Sequence, residues 1–427
     1  MKRLFLAVAL AATAIAVVGF AGSSAATEQK TIKITIWHGQ VDAGEKAMDK
    51  LVKRYHALHP DVAITSQQGA PAESMVQKLE TVIGTDGYPD IAYVYGSDTP
   101  NVAQSPKVVD ITADIKATKF DWKSLYEAGR RTATVGKKVV GFPAVIDNLA
   151  VVYNKKIFKQ AGVKPPTASW TWADYRTLAK RLTNAKIGQY GAGYPIAGSE
   201  DTVWRFWPMI WQQGGDALTP DLKKATFAGT AGVRSLQLLA DMALKDKSLY
   251  ADQTADTQKM YGLFGSGKMA MVVTGPWQLE WIIEHKIDYG VQVMPSFDGT
   301  NHETISGPDN YVVLNHGDDR RRAAVAFLAW LHEPAQDLEW DLATSNLPLS
   351  AKTAALPGVA KLEKTYPGFK LFTRNLANAH HIRPPVPQYT QISTAIGKAI
   401  ATAMLGRGTP KDALGEAAKK ADKALGS

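Results

Sequence analysis

The sequence contains no cysteine among its 427 residues. This absence excludes disulfide bonds, thiol catalysis and cysteine metal ligands, and it removes the acylation site that a secreted lipoprotein needs. Basic residues outnumber acidic ones and give a formal charge of +9, yet no run of five or six basic residues occurs. We therefore expect neither nucleic acid nor an anionic membrane as the main partner.

Long apolar runs are also missing after the N-terminal region, so we expect no transmembrane helix in the mature chain. The N-terminal region itself has the three parts of a secretory signal peptide. Met1-Lys2-Arg3 is basic, Leu4 to Phe20 is apolar, and Ser24-Ala25-Ala26 supplies small residues. We predict that residues 1–26 are cleaved off and that the mature protein is soluble in the periplasm. A retained N-terminal anchor is the alternative, for which the apolar stretch is marginally short.

The order of predicted elements is typical of an α/β protein. Ile32, Ile34 and Ile36 alternate with polar residues as in a half-buried strand. A helix from Met48 to Leu58 follows, with apolar residues three and four apart facing inward. Continued alternation of strands and helices predicts a largely parallel sheet with helices on both faces. The length indicates two domains, and since no linker divides the chain, we expect them to interleave.

Residues 141–155, GFPAVIDNLAVVYNK, are read as one strand covered on both faces, with Asp147 and Asn148 in its middle. A carboxylate and an amide in such a place need hydrogen-bond partners. They either satisfy buried protein groups or face a cleft that receives a polar ligand. The segment alone leaves both readings open.

Aromatic residues fall beside polar residues at the predicted ends of strands and starts of helices. The residues concerned are Trp37, Tyr95, Trp204, Trp207 and Trp277. Ligands of α/β sheets bind at the carboxyl ends of strands, where the Trp37 and Tyr95 segments end. Flat rings beside carboxylates and amides suit a sugar, because its C–H groups stack on rings while its hydroxyls bond to polar groups.

Two cofactor chemistries fit the sequence poorly. Residues 262–268 nearly match the sequence pattern of a phosphate-binding loop, but Met269 replaces the hydroxyl residue that would hold magnesium. The predicted order there is helix, turn, strand, whereas a phosphate loop needs strand first. The histidines occur without a metal-binding spacing, so we expect no metal and no cofactor.

Glycoside hydrolysis stays open at this point. Glu45, Asp98, Asp147 and Asp309 could all reach a cleft and supply the two carboxylates that the reaction needs. No nucleophile motif such as GxSxG accompanies them. Binding without catalysis is therefore the favoured interpretation.

With these motifs in hand, the chain resembles the family 1 extracellular solute-binding proteins of ABC importers, the maltose-binding-protein-like group. The resemblance rests on the order and spacing of several segments through the mature sequence. They are IWHG, YPDIAYVYGSD, GFPAVIDNLAVVYNKKIF, RFWPMIWQQGGD, FGSGKMAMVVTGPW, YGVQVMPSFDG and PVPQYT with GRGTPKDALGEA.

The resemblance implies the type II periplasmic binding protein fold, with two α/β lobes, three interlobe crossings and a ligand cleft between the lobes. The crossings are expected near Ala144, Ile305 and Leu356. Residues 27–144 plus 305–356 would form the N-terminal lobe, and residues 145–304 plus 357–427 the C-terminal lobe.

The resemblance and the aromatic pattern together imply a set of ligand-binding residues. They are Trp37, His38, Gln40, Glu45, Tyr95, Ser97, Asp98, Asp147, Asn148, Trp204, Trp277, Gly307, Asp309, Asn310 and Arg383. Relatives that bind long maltose-like chains stack a further aromatic in the helix after PQ, where this sequence has Gln391 to Thr394. The difference favours a ligand between a monosaccharide and a disaccharide.

The function implied is that of a periplasmic receptor without catalytic activity. It would close on a small carbohydrate and deliver it to the transmembrane permease subunits of an ABC transporter, acting as a monomer. A polyol or a glycerol phosphate compound is the alternative ligand, for which Arg205 and Arg383 give weak support. A secreted glycoside hydrolase is the third and least favoured interpretation.

Overall fold

A computed structural model describes residues 31–198, 200–254 and 257–426. The predicted signal peptide, residues 1–26, lies outside the described residues. Within these ranges no helix is both long and apolar enough to cross a membrane. Two five-stranded sheets, each covered by helices, form the framework.

The strands alternate with helices along most of the chain. They are β1 (Ile32–Trp37), β2 (Val62–Gln67), β3 (Ile91–Tyr95), β4 (Thr134–Val135), β5 (Lys138–Val139), β6 (Gly141–Val145), β7 (Ala150–Asn154), β8 (Tyr190–Pro195), β9 (Leu249–Asp252), β10 (Met269–Thr274), β11 (Tyr289–Gln292) and β12 (Asp309–Val313).

The helices follow the same numbering from the N-terminus. They are α1 (Asp42–Leu58), α2 (Met75–Val82), α3 (Thr99–Val102), α4 (Thr112–Thr118), α5 (Glu127–Thr132), α6 (Lys155–Gln160), α7 (Trp172–Leu182), α8 (Glu200–Trp204), α9 (Trp207–Trp211), α10 (Thr230–Leu244), α11 (Gln258–Gly265), α12 (Leu279–Glu284), α13 (Asp318–Leu331), α14 (Pro334–Thr344), α15 (Ala351–Ala354), α16 (Val359–Thr365), α17 (Phe369–Asn375), α18 (Tyr389–Met404) and α19 (Pro410–Leu425).

The first sheet has the strand order β2-β1-β3-β12-β6, and the second has the order β11-β7-β10-β8-β9. We call the first sheet with its helices the N-terminal lobe and the second the C-terminal lobe. The predicted parallel pairing is present among β1, β2 and β3. The prediction of a largely parallel sheet is confirmed, because four of the five strands of this sheet point the same way. The exception is β12, which returns from the C-terminal lobe and enters antiparallel between β3 and β6.

Local sequence signals account for two of the helices that cover the sheets. In α1, Met48, Leu51 and Tyr55 are buried as predicted, whereas Leu58, the last residue, is exposed. At the start of α7, Thr171 Oγ1 accepts from the backbone N–H of Asp174, and the Asp174 carboxylate accepts from that of Thr171. This capping box satisfies two N–H groups that a helix start leaves without partners.

Residues 141–155 are two strands rather than the single strand predicted. β6 ends at Val145 in the first sheet, and β7 begins at Ala150 in the second. The polar pair Asp147 and Asn148 therefore lies in a crossing between lobes, where its side chains find partners outside any strand ladder. The physical reason is that a buried carboxylate and amide need specific donors and acceptors, which a covered strand does not supply.

The chain crosses between the lobes twice more. Residues 293–308 lead from β11 back to β12 in the first sheet. After α14, which packs on α1, the chain returns to the C-terminal lobe, where Phe369 and Phe372 join the apolar cluster of Val152 and Val272. The residues at which the lobes divide stay a prediction, and β6 extends one residue past the predicted boundary at 144.

Candidate ligand-binding site

A cavity of about 260 Å³ lies between the two lobes. Both lobes and the crossings contribute to its wall. The lining residues are Gly39, Gln40, Ala72, Tyr93, Tyr95, Val145, Asp147, Glu200, Asp201, Trp204, Trp277, Gly307, Asp309, Asn346 and Arg383. The cavity therefore combines aromatic rings, four carboxylates and one guanidinium.

Asp147 is held by residues from the other two crossings. Its carboxylate accepts from the backbone N–H of Leu347 at 3.0 Å and from the side-chain amide of Asn346. Its backbone carbonyl accepts from the N–H of Gly307 at 3.0 Å. Burial raises the pKa of Asp147 to about 7, although the hydrogen bonds from Leu347 and Asn346 to the carboxylate favour the charged form. Because its donors are neutral, the carboxylate is well suited to accept a further hydrogen bond from a ligand.

An ion-pair network in the wall of the cavity joins the lobes. Arg383 Nη2 donates to Asp309 Oδ1 at 3.0 Å, and Arg383 Nη1 lies 3.4 Å from Glu200 Oε1. Asp309 also accepts from the Tyr93 hydroxyl at 2.6 Å. Burial raises the pKa of Asp309 and raises that of Glu200 to about 7, while Arg383 opposes both shifts. Arg383 therefore compensates two buried carboxylates from different lobes.

Two further contacts hold the lobes together near this network. The Glu73 carboxylate accepts from the backbone N–H of Glu200 in the other lobe at 2.8 Å, and the Tyr95 hydroxyl of its own lobe donates to it at 2.9 Å. Thr390 Oγ1 donates to Asp98 Oδ1 at 2.8 Å. Since Glu73 and Asp98 belong to the N-terminal lobe, these bonds are typical of a closed arrangement of the lobes.

Two tryptophans of the C-terminal lobe form the aromatic part of the wall. The ring centroids of Trp204 and Trp277 lie 5.5 Å apart with an interplanar angle of 37°. Trp204 ends α8, and Trp277 lies in the turn of helix at Pro276–Gln278 that follows β10. Among the described residues, the buried Trp204 Nε1 has no hydrogen-bond partner. Apolar faces and polar groups thus meet in one cavity.

The cavity brings together eight of the fifteen residues predicted from the sequence. They are Gln40, Tyr95, Asp147, Trp204, Trp277, Gly307, Asp309 and Arg383. Ser97 and Asp98 line two adjoining cavities instead. Burial raises the pKa of Asp98 to about 6.

The segment after β1 lies mostly away from the cavity. The Trp37 indole N–H donates to Gln67 Oε1 at 3.0 Å, and its ring packs in an apolar cluster. His38 is buried, and its Nδ1 accepts from the backbone N–H of Gln40 at 3.1 Å. Glu45 is exposed on α1. Of this predicted group, only Gln40 lines the cavity.

The two predicted asparagines have their side chains satisfied within the protein. Asn148 Nδ2 donates to the Phe372 carbonyl at 2.9 Å, and its Oδ1 accepts from Asn375 at 2.8 Å. Asn310 Nδ2 donates to Thr99 Oγ1 at 2.8 Å. Each of the two alternatives for residues 141–155 therefore holds for one residue. Asp147 lines the cavity, whereas Asn148 bonds to protein groups.

Trp207 also differs from the aromatic pattern of the sequence. It is fully buried, and its Nε1 donates to the Tyr389 hydroxyl at 2.9 Å. Its indole stacks on Trp211 in the core of the C-terminal lobe. The expectation that Trp207 faces a cleft is therefore wrong, because its neighbours on α9 and α18 enclose it.

Sequence reasoning missed several polar residues of the wall. Glu200 accepts from the hydroxyls of Tyr389 and Ser393, which lie on α18. Asp201 pairs with Arg205 one helical turn later. Tyr93 and Asn346 also line the cavity, where Tyr93 donates to Asp309 and Asn346 donates to Asp147. The one local signal was the acidic pair at the start of α8. It does not identify a ligand site, because carboxylates are favourable at helix N-termini with or without a ligand.

The described residues contain no group of three or more His, Cys, Asp or Glu side chains that could hold a metal ion. The helix, turn and strand order predicted around Gly262 to Lys268 is present, with α11 before β10. The described residues therefore offer no structural support for the phosphate-loop reading of that segment.

Residues 39–337 match the family of bacterial extracellular solute-binding proteins. A curated relative is the sn-glycerol-3-phosphate-binding periplasmic protein UgpB of Pectobacterium atrosepticum, which is 26% identical over 97% of this chain and 95% of its own length. A solved relative is the cyclic α-maltosyl-1,6-maltose binding protein of Arthrobacter globiformis. It is 27% identical, covers 92% of this chain and 99% of its own, and has a TM-score of 0.76.

The ABC substrate-binding protein Lmo0181 of Listeria monocytogenes, solved with cycloalternan, is similar in fold, with a TM-score of 0.83 at 24% identity. The alignment covers 93% of this chain and 99% of the Listeria protein. The family match spans more than half of the sequence and agrees with the two-lobe architecture and its interlobe cavity. The chain belongs to the family of bacterial extracellular solute-binding proteins.

Proposed function

We propose that this protein captures a small carbohydrate, from a monosaccharide to a disaccharide, as the solute-binding component of an ABC importer. The observation that carries the proposal is the pairing of Trp204 and Trp277 with Asp147 and Asp309 in one cavity between the lobes. Aromatic faces and buried carboxylates that line the same cavity match the two kinds of surface that a sugar presents, its C–H groups and its hydroxyls.

A sugar that leaves water for the cavity gives up the hydrogen bonds between its hydroxyls and water. Each hydroxyl must exchange its water bonds for protein bonds, or the unpaired group weakens binding. The carboxylates of Asp147 and Asp309 accept from hydroxyls. The C–H faces of the pyranose pack on the indoles. Both lobes contribute, so a ligand is enclosed on several sides.

Transport requires that binding be coupled to the shape of the receptor. The interlobe bonds of Arg383 with Asp309 and of Thr390 with Asp98 support a hinge that closes over the ligand. We infer that the closed form is the one recognised by the transmembrane permease subunits. We also propose that the mature protein acts as a monomer in the periplasm after removal of residues 1–26.

A glycerol phosphate compound or polyol is the second candidate, favoured by the name of the Pectobacterium relative. The charges in the cavity disfavour a phosphate. Among the described lining residues, Arg383 is the one Lys or Arg, and it pairs with Asp309 and Glu200. Arg205, in an adjoining cavity, pairs with Asp201. A phosphate would therefore meet more carboxylates than available cations, which is unfavourable in a buried site.

Calorimetry with a panel of monosaccharides and disaccharides, together with sn-glycerol 3-phosphate and glycerol, tests the proposal. We expect at least one sugar to bind, with an affinity that changes little between low and high salt. Binding of the phosphate compound alone, with an affinity that falls sharply with salt, would support the second candidate. No binding by any sugar in the panel would contradict the carbohydrate assignment.

We propose further that the protein has no hydrolytic activity. Its family relatives named above are binding proteins, and Asp147 and Asp309 are each engaged by protein donors. Incubation with aryl glycosides of several sugars is expected to release no phenol. Release that disappears in an Asp147→Asn variant would show instead that the cavity is an active site.

A further inference from the structure

We propose that Gly275 and Gly307 are positioning residues for the ligand, because each provides a surface without a side chain on which one indole of the cavity lies. A Cβ added at Gly275 would lie 1.8 Å from Cζ3 of Trp277. A Cβ added at Gly307 would lie 2.6 Å from Cζ2 of Trp204. Carbon atoms in contact stay about 3.5 to 4.0 Å apart, so neither ring could keep its place beside an alanine.

Backbone conformation is not the reason for glycine at these positions. Gly275 has φ −111° and ψ −178°, which any residue can adopt. Gly307 is not among the residues with positive φ. Neither position therefore needs glycine for a positive φ, and the space taken by the indole is the property that requires glycine.

The consequence for the site follows from the rigidity of the indole. Trp277 and Trp204 each have two side-chain torsions. Their rings lie against each other, with the centroids 5.5 Å apart. A methyl group behind either ring must push that ring away from the backbone, which changes the cavity wall. Gly307 also donates to the carbonyl of Asp147, so it links one ring to the crossing that carries the carboxylate.

This inference rests on the proposed carbohydrate function for its effect on affinity, but not for its effect on the rings. The variants are Gly275→Ala and Gly307→Ala. The matched control is Gly415→Ala on α19, where an added Cβ would meet no atom within 4 Å. Affinity is measured by calorimetry for the sugar that binds the wild type most tightly, and ring geometry by near-ultraviolet circular dichroism.

We expect Gly275→Ala and Gly307→Ala to weaken sugar binding about tenfold or more and to change the near-ultraviolet spectrum, because coupled indoles are sensitive to their relative orientation. Far-ultraviolet circular dichroism and the cooperativity of unfolding should match the wild type. Gly415→Ala should change neither affinity nor the near-ultraviolet spectrum.

Double variants separate positioning of the ring from a general structural effect. In a Trp277→Ala background, Gly275→Ala has no ring to displace and should cause no further loss of affinity or spectral change. The same holds for Gly307→Ala in a Trp204→Ala background. Losses that simply add in both backgrounds would overturn the proposal.

Wild-type affinity and spectra in both glycine variants would likewise overturn the inference. If the wild type binds no sugar in the panel, the proposed function fails. The near-ultraviolet spectra of the single and double variants still decide whether the two glycines position the indoles.

Discussion

Arg383 and Asp309 form a buried hydrogen-bonded ion pair of 3.0 Å that connects the two lobes. Arg383 precedes α18 of the C-terminal lobe, and Asp309 begins β12 of the first sheet. The pair lines the cavity beside Glu200, so the same guanidinium serves both interlobe contact and the candidate ligand site.

Replacing Arg383 with methionine is expected to favour the open form. The variant leaves Asp309 and Glu200 buried without their cation, which typically costs about 3 kcal/mol. Small-angle X-ray scattering should show a larger radius of gyration, and calorimetry should show weaker sugar binding. Lys419→Met, which removes an exposed pair with Glu416 on α19, is the control and should change neither quantity. An Arg383→Met variant with wild-type dimensions and affinity would contradict the closing role of the pair.

Replacing Trp204 or Trp277 with alanine is expected to weaken sugar binding by about 1 to 4 kcal/mol while the protein stays folded. Loss of an aromatic contact surface is the reason. Trp207→Ala should show the opposite pattern, because this fully buried ring supports the core and its removal should lower the free energy of unfolding by about 3 kcal/mol or more. Calorimetry and urea unfolding measure the two effects. Unchanged affinity in both cavity variants would mean that the cavity is not the binding site.

The neighbours Asp147 and Asn148 should respond differently to substitution. Asn148→Ala removes the side-chain donor to the Phe372 carbonyl and one of the two acceptors of the Asn375 side-chain amide, so we expect the free energy of unfolding to fall by about 1 to 3 kcal/mol. Asp147→Asn keeps the shape but removes the charge and replaces one of the two acceptor oxygens by a donor, which the Asn346 amide can accept by turning over. Sugar affinity should therefore fall, with a smaller loss of stability than in Asn148→Ala. Urea unfolding and calorimetry on both variants test this contrast. A stability loss in Asp147→Asn larger than that in Asn148→Ala would contradict it.

The buried acids predict that the ligand-free protein is more stable at pH 5 than at pH 8. Burial raises the pKa of Asp147 from 3.8 to about 7 and that of Glu200 from 4.5 to about 7. At pH 5 the unfolded state has largely released these protons and the folded state has not. The free energy of unfolding therefore falls as the pH rises, until both carboxyls also ionise in the folded state near pH 7.

We expect a difference in free energy of unfolding of about 2 kcal/mol or more between these pH values. Urea unfolding at a series of pH values gives the profile. Asp147→Asn should make the profile less steep, since it removes one of the buried carboxyls whose pKa is raised. A wild-type profile that rises from pH 5 to pH 8 would show that these carboxyls are charged in the fold at low pH.

Much of the fold was predictable because it depends on local patterns. The alternation at Ile32, Ile34 and Ile36 gave β1, and the capping pair Thr171 and Asp174 gave the start of α7. These signals act over two to four residues, so the sequence carries them without knowledge of the rest of the chain. The direction of β12 was not predictable, because it depends on a crossing from another lobe.

The candidate site was predictable in part. Asp147 and Trp277 stand where an apolar run ends, Trp204 lies beside a helix start, and Asp309 belongs to the SGPDN turn, so each carries a local signal. No local signal distinguishes Glu200 from a carboxylate at an ordinary helix start. Its contacts come from Arg383, Tyr389 and Ser393, which lie far away in sequence.

The sequence by itself determined the family resemblance, most strands and helices, and the stretches from which a polar, aromatic site could be assembled. The tertiary structure decided which side chain of each stretch faces the cavity: Asp147 rather than Asn148, and Trp204 rather than Trp207. The reason is that each orientation is fixed by partners distant in the chain, such as Asn346 for Asp147 and Asn375 for Asn148. Periodicity places a residue on an element, but only the assembled lobes supply the donors and acceptors that determine where its side chain lies.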